Sequence, residues 1–157
     1  MTSIVPAEPR IEQHPALRLV GTICDYAFAD GDMLRALPMQ WAAFGPSIPM
    51  PPEGGEPTSF GVALSTDDPG CFRYMTAYPL APGDALPARL SLLTVPAGAY
   101  LVFPHEGHVS TFNKTVSAAC AGRRPAKGFP SFLEYYGPGF DPETGLGDME
   151  VWLPLAD

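Results

Sequence analysis

Proline and glycine interrupt this chain at short intervals, and they limit the length that any helix or strand can reach. Twenty prolines and sixteen glycines occur among 157 residues. They do not collect in one linker but cluster at PSIPMPPEGGEP, DDPG, APGDALP and GPGFDPETGLG. Such spacing favours short strands joined by turns and loops. We expect one domain over residues 1–157, since this length allows one well-formed core.

Two segments between these interruptions have the apolar spacing of helices. The first, DMLRALPMQWAAF from Asp32, repeats apolar residues at helical intervals, although Pro38 inside it removes a backbone hydrogen bond. Asp30 or Asp32 is available to cap it. The second, HVSTFNKTVSAACAG from His108, places Val109, Phe112, Val116 and Ala119 on one helical face.

The remaining apolar segments predict strands. The opening segment RIEQHPALRLVGT predicts a strand with a bulge or an edge position at Pro15. A turn signal joins SFGVALST to CFRYMTAYPLA, which predicts a hairpin. ARLSLLTVPAGAYLVFPHEG predicts one or two strands, and SFLEYYG and DMEVWLPLAD predict the last two. We expect the polar, proline-rich connection at Gly45–Pro57 to be the least ordered part of the chain.

The order of these segments is strand, helix, strand, strand, and then the same again. Short echoes accompany the repeat: SF opens the third segment of each half, and YPLA and LPLA close the halves. We therefore predict an α+β fold of two duplicated strand-helix-strand-strand modules, about residues 10–81 and 88–156. The modules are expected to form an antiparallel sheet with helices on one face and a cleft between them.

Charge and cysteine content exclude some classes of partner. Nine Lys and Arg against seventeen Asp and Glu give a net charge of −8, which argues against a nucleic-acid partner. Cys24, Cys71 and Cys120 lack CxxC spacing and are typical of free thiols in a reducing cytosol. No signal peptide and no apolar run of about 20 residues is present, so we expect a cytoplasmic protein with no membrane partner.

No catalytic or metal-binding motif stands out. There is no GxSxG, no nucleotide-binding loop and no apparent Ser-His-Asp or Cys-His set. HEGH at residues 105–108 lacks HExxH spacing and an obvious third ligand. We therefore expect no metal and no cofactor, and catalytic residues stay unassigned.

Glu134 is the most unusual residue in the apolar segments, because it interrupts the aromatic stretch FLEYY. A bare carboxylate in an apolar wall costs several kcal/mol unless something pairs with it. One possibility is an internal cation such as Arg73 or Lys114, or exposure to solvent on an open sheet face. The other is a partner that arrives from outside.

Strand alternation indicates what could surround this carboxylate. It puts Phe132, Glu134 and Tyr136 on one face. In the last strand, Met149, Val151 and Leu153 share a core-like face, and Trp152 lies opposite. If the two strands pair, Glu134 and Trp152 can look into one cavity. A cationic aromatic ligand would then pair with Glu134 and stack on Tyr136 and Trp152, each cation–π contact contributing on the order of 0.5–2 kcal/mol.

These segments together resemble a known family. FLEYYG followed by MEVWLPL, AGAYLVFPHEG, the GVALSTDDPGCFRYMTAYPLA hairpin and the opening RIEQHPALRLVGT are similar to the GyrI-like small-molecule-binding domains, also called AraC-type effector-binding domains. The resemblance spans about Arg10–Leu155. It implies two pseudo-symmetric modules, with amphipathic, often cationic or aromatic ligands bound between them. It also places a pocket glutamate on the penultimate strand, at Glu134.

The resemblance extends the set of candidate ligand-binding residues. Trp41, Phe44 and Tyr100 are further candidates for the pocket wall, with ordinary core packing as the alternative for each. Two tyrosines give conflicting indications: alternation sends Tyr74 and Tyr78 to the core-like face, whereas the resemblance puts Tyr74 near the ligand.

The expected function is therefore non-enzymatic binding of amphipathic, cationic or aromatic small molecules, for sensing or sequestration. Many members of the family carry a DNA-binding segment for transcription regulation, and multidrug binding is typical. Here we expect a stand-alone domain with no DNA-binding segment. One alternative is a small hydrolase of reactive aromatic natural products, with Glu134 as general acid or base. Another is a protein partner, such as gyrase, that the domain would modulate.

Overall fold

The computed structural model describes residues 8–28, 33–50, 57–123 and 128–155, which form eight strands and two α-helices. The strands are β1 Arg10–His14, β2 Leu17–Ala27, β3 Ser59–Leu64, β4 Cys71–Pro79, β5 Ser91–Val95, β6 Gly98–His105, β7 Phe132–Tyr136 and β8 Met149–Pro154. The helices are α1 Met33–Phe44, between β2 and β3, and α2 Phe112–Cys120, between β6 and β7.

All eight strands form one antiparallel sheet, in the order β1-β6-β8-β7-β3-β4-β2-β5. This order is symmetric about the central pair: β7 matches β3, β8 matches β4, β6 matches β2 and β1 matches β5. Each half has the connection strand, helix, strand, strand, which confirms the predicted α+β fold. The midline between the two modules therefore runs between β3 and β7.

The first strand of each half breaks in two, and the pieces pair with different neighbours. β1 pairs with β6, whereas β2 pairs with β4 and β5. Only Pro15 and Ala16 separate β1 from β2, although the two strands lie near opposite edges of the sheet. The edges must therefore approach each other, and the sheet curls into a half-barrel. The interruption expected at Pro15 is a complete change of partner, and the same change occurs between β5 and β6.

The two faces of the sheet have separate cores. The inner face packs strand residues against one another, with Leu19, Val62, Met75 and Leu133 fully buried. Both helices cover the other face, called here the helix face. Helix α1 packs over a cluster that contains Phe44.

Helix α2 covers the second module through the predicted apolar residues. Phe112 and Ala119 are buried, and Val109 and Val116 pack against the same cluster. Helix α1 continues through Pro38, as expected. The proposed caps of α1 and residues 51–56 of the Gly45–Pro57 connection lie outside the described residues, so both expectations stay predictions.

Candidate functional site

Glu134 lies in the middle of the helix face, beside the midline between the modules. It pairs with Gly61 of β3 on one side and with Val151 of β8 on the other. Its neighbours Phe132 and Tyr136 belong to the cluster under α2. The predicted alternation along β7 is therefore the one observed, and it directs Glu134 into the space between the two helices.

A chain of two hydrogen bonds links the carboxylate to helix α1. The Tyr74 hydroxyl donates to Glu134 Oε1, and the Trp41 indole Nε1 donates to the Tyr74 hydroxyl at 3.0 Å. Tyr74 lies on β4 and is 2% exposed. Since Tyr74 and Trp41 belong to the first module and Glu134 to the second, the site is assembled across the midline.

Gly61 makes the meeting of Tyr74 and Glu134 possible. It lies on β3, between the strands that carry these two residues, and a Cβ at position 61 would overlap both the Tyr74 hydroxyl and Glu134 Oε1. A glycine in a strand interior often marks such a close approach. Gly61 was not among the residues predicted for the site, although a glycine within the strand segment SFGVALST indicates such a close approach.

The carboxylate has no cationic partner among the described residues. None of their ion pairs includes Glu134. Arg73, one of the two internal cations considered, pairs with Asp25, with 2.7 Å between Nε and Oδ1. Lys114, the other, is exposed on α2. The remaining partner of Glu134 is the neutral hydroxyl of Tyr74.

Burial sets the ionisation behaviour of this group. The Glu134 side chain keeps part of its surface exposed, yet burial of the carboxyl raises its pKa to about 7, opposed by the Tyr74 hydrogen bond. Burial also raises the pKa of Tyr74 and Tyr136 well above the ordinary value, with the nearby Glu134 carboxylate as the second cause. Both tyrosines therefore stay neutral donors, while Glu134 exchanges a proton near pH 7.

Aromatic side chains pack around the carboxylate on the helix face. The Trp41 and Tyr136 rings pack in a T-shaped arrangement at a centroid distance of 5.2 Å. Phe44 stacks on Tyr78 at 6.1 Å and is 3% exposed. Trp41 is only partly buried and packs against the clusters under both helices. It thus contacts residues of both modules, Tyr74 in the first and Tyr136 in the second.

A hollow of about 640 Å³ opens on the same face, one row of residues away from Glu134. Its wall is largely apolar and includes Phe28, Ala63, Phe72, Phe132, Leu153 and Leu155. Phe132 and Glu134 are alternate residues of β7, so about 7 Å of strand separates the carboxylate from the hollow. Phe72 was not among the predicted residues, although alternation from Tyr74 along β4 places it on this face.

Two predicted pocket residues lie on the opposite, inner face of the sheet. Trp152 pairs with Leu133, not with Glu134, and it stacks between His14 and Tyr135. The expectation that Glu134 and Trp152 look into one cavity is therefore wrong. Tyr100 is fully buried in the inner core, so the alternative of ordinary core packing is the one observed.

The conflict over Tyr74 and Tyr78 disappears in the structure. Both point to the helix face, where Leu153 also packs, as alternation predicted. That core-like face is the same face that holds Glu134, because Glu134 pairs with Val151 and not with Trp152. Tyr74 is thus part of the packed core and a direct neighbour of the carboxylate.

Two negative findings hold for the described residues. They contain no group of three or more His, Cys, Asp and Glu side chains that could hold a metal ion. They also contain no helix with the length and apolar character needed to cross a bilayer.

The sequence matches the model of the GyrI-like small molecule binding domain over residues 7–156. No curated protein sequence matches the chain significantly.

Solved structures with the same fold include three that align over nearly the whole chain. A suspected bacterial transcription regulation protein from Staphylococcus aureus MU50 is 21% identical, with a TM-score of 0.68 over 96% of this chain and 99% of its own. SAV2435, solved bound to tetraphenylphosphonium, is 22% identical, with a TM-score of 0.63 over 94% and 93%. An integron cassette protein from the mobile metagenome of Vibrio cholerae is 14% identical, with a TM-score of 0.64 over 95% and 96%.

Proposed function

The chain belongs to the family of GyrI-like small-molecule-binding domains, and we propose that it binds amphipathic cations with aromatic groups on the helix face, at Glu134 and the adjoining hollow. The binding would serve sensing or sequestration, without chemical change of the ligand. We place this activity in the cytoplasm, where a reducing environment suits the three free thiols.

The carboxylate of Glu134 carries this proposal. It lies in the middle of the helix face with a neutral hydroxyl as partner and no cation among the described residues. A cation about 4 Å away would gain about 4 kcal/mol at an effective dielectric near 20, before the cost of its desolvation. A cationic ligand would therefore supply the positive charge that no described residue places beside Glu134.

The surrounding side chains favour an aromatic ligand. Trp41, Tyr74 and Tyr136 lie around the carboxylate, and the hollow next to it is mostly apolar. Rings of the ligand can pack against these faces while its charge approaches Glu134. Tetraphenylphosphonium, the compound bound to SAV2435, has this chemistry, with one positive charge surrounded by four phenyl rings.

Calorimetric titration with tetraphenylphosphonium at pH 8 tests the proposal. We expect Glu134→Gln to weaken binding at least tenfold, which corresponds to about 1.4 kcal/mol. Glu106→Gln is the matched control, because Glu106 is exposed and the same charge is removed. It should change the affinity less than twofold. Equal affinity of the wild type and Glu134→Gln would contradict the role of the carboxylate.

Hydrolysis is the second candidate function, and the Glu134–Tyr74 pair favours it. A carboxyl group with a pKa of about 7 suits general acid or base chemistry near neutral pH, and the Tyr74 hydroxyl is a donor beside it. Such a pair could activate water against a strained, reactive aromatic compound. Mass spectrometry of candidate ligands after incubation distinguishes the two functions, because a binding protein returns them unchanged.

A further inference from the structure

Building on the proposed function, we infer that the site prefers zwitterionic amphiphiles, with a cation placed at Glu134 and an anionic group placed at Arg123. This inference concerns the ligand class, and it adds a second charge-recognition point to the cleft.

Arg123 lines the same hollow as Phe132, on the side of helix α2. Its guanidinium donates to the Ala119 carbonyl at 2.7 Å and lies 5.3 Å from the centre of the Phe103 ring. These two contacts hold the side chain at the C-terminal end of α2, where a positive charge is favourable. Arg123 is therefore a positioned cation on the wall of the hollow.

The separation of the two charges suits a ligand of moderate length. Phe103, on which the Arg123 guanidinium rests, lies on β6, and Glu134 lies on β7, with Val151 of β8 between them. Two strand spacings put the backbones of Phe103 and Glu134 about 10 Å apart. The hollow lies in the next row of residues, where Phe132 and Leu153 form part of its wall, so an apolar body in the hollow has Arg123 on its wall and Glu134 about 7 Å away along β7.

Donor capacity also favours an anion at Arg123. A guanidinium carries five N–H donors, and the Ala119 carbonyl occupies one of its nitrogens. Asp68 lines the hollow on the side of the β3–β4 loop. Its carboxylate already accepts hydrogen bonds from the Gly70 N–H at 2.8 Å and from the Cys71 thiol at 3.3 Å. Asp68 is thus less available to a second cation than Arg123 is to an anion.

The experiment compares two matched probes, pentyltriphenylphosphonium and (4-carboxybutyl)triphenylphosphonium, which share the cationic head and differ by one terminal carboxylate. We expect the wild type at pH 8 to bind the carboxylate probe about threefold more tightly or better, as charge-assisted hydrogen bonds to a partly exposed arginine allow. Arg123→Gln should abolish this preference, measured as the ratio of the two affinities within the same variant. Lys114→Gln, on an exposed part of α2 outside the hollow, is the control that should keep the preference.

The outcomes separate this inference from the function on which it rests. If the pentyl probe binds and Glu134→Gln weakens it, but Arg123→Gln keeps the wild-type preference, the inference is wrong and the proposed function stands. A wild type that binds the two probes equally overturns the inference in the same way. If neither probe binds, both fail.

Discussion

Tyr74 and Glu134 meet above Gly61, with the phenol supplied by the first module and the carboxylate by the second. Gly61 lies on β3, the strand between them, and has no side chain that would separate the two groups. A neutral donor therefore satisfies one carboxylate oxygen from within the protein, and no described cation neutralises the charge. The arrangement orients Glu134 and leaves its negative charge, when ionised, without a described cationic partner.

Replacing Gly61 with alanine should disrupt this meeting. The new Cβ would overlap the Tyr74 hydroxyl and the Glu134 carboxylate, so both side chains must shift. We expect a loss of about 1–3 kcal/mol in the free energy of unfolding, as for other overpacked interiors, and at least a tenfold loss of tetraphenylphosphonium affinity. Chemical denaturation and calorimetry measure the two effects. Gly45→Ala is the control, since a Cβ there meets nothing within 4 Å.

Glu134→Gln should stabilise the fold at high pH. The pKa of Glu134 rises from 4.5 in its ordinary state to about 7 in the folded protein. The folded state therefore keeps a proton that the unfolded state releases between these values. Stability from this group is fully present below pH 4.5 and is lost as the pH rises through about 7. A neutral amide avoids that loss.

The expected gain for Glu134→Gln is about 1–3 kcal/mol in the free energy of unfolding at pH 8, and close to zero at pH 4.5. Urea denaturation of both proteins at the two pH values measures it. A difference between the proteins that does not change with pH would show that ionisation of Glu134 is not its cause.

The pH dependence of binding should follow the same group. A cation prefers the ionised carboxylate, so tetraphenylphosphonium affinity should rise with pH through about 7. Tyr74→Phe removes the hydrogen bond that lowers the pKa of Glu134, so the midpoint should move to higher pH. Affinity profiles from pH 5.5 to 8.5 test this. Tyr78→Phe, on the same strand and face, should leave the midpoint unchanged.

Tryptophan fluorescence should distinguish the two faces of the sheet. The chain has two tryptophans, and Trp41 lies beside Glu134 while Trp152 lies in the inner core. In Trp152→Phe, where only Trp41 remains, tetraphenylphosphonium should change the emission. Trp41→Phe, where only Trp152 remains, should respond little. A strong response confined to Trp152 would place the ligand on the inner face and contradict the proposed site.

Tyr100→Phe should leave ligand binding intact. The Tyr100 hydroxyl is buried and has no hydrogen-bond partner among the described residues, and burial raises its pKa to about 12. Removing an unsatisfied hydroxyl spares a desolvation penalty of about 1–3 kcal/mol, so thermal denaturation should show equal or higher stability. Reduced affinity for tetraphenylphosphonium would argue that the inner face contributes to the site.

Most of the fold could be predicted from local patterns in the sequence. Proline and glycine punctuation located the strands, and apolar spacing located both helices, because these features depend on neighbouring residues. The break after His14 was harder to interpret. Pro15 indicated an interruption, but the partner of each half depends on the curl of the whole sheet.

The site was predicted in part, and the error at Trp152 comes from the register between β7 and β8. Alternation along β7 correctly grouped Glu134 with Phe132 and Tyr136. It could not decide which residues of β8 lie beside them, because a shift of one residue in pairing exchanges the two faces. The structure pairs Glu134 with Val151, so Trp152 is on the other side. The hydrogen bond from the Tyr74 hydroxyl to Glu134 could not be predicted from the sequence either, since it depends on the absence of a side chain at Gly61.

Strands β1 and β5 each pair with a strand of the opposite module, and this pairing limits how the protein can accommodate ligands of different size. Each half contributes an edge strand to the other, and β3 and β7 join the halves by a continuous ladder. The two halves therefore cannot rotate apart as rigid bodies without breaking the hydrogen bonds between β3 and β7. Sliding or tilting of α1 and α2 over the sheet would leave this ladder intact, so we expect the residues that anchor these helices to govern the range of ligand sizes that the protein accepts.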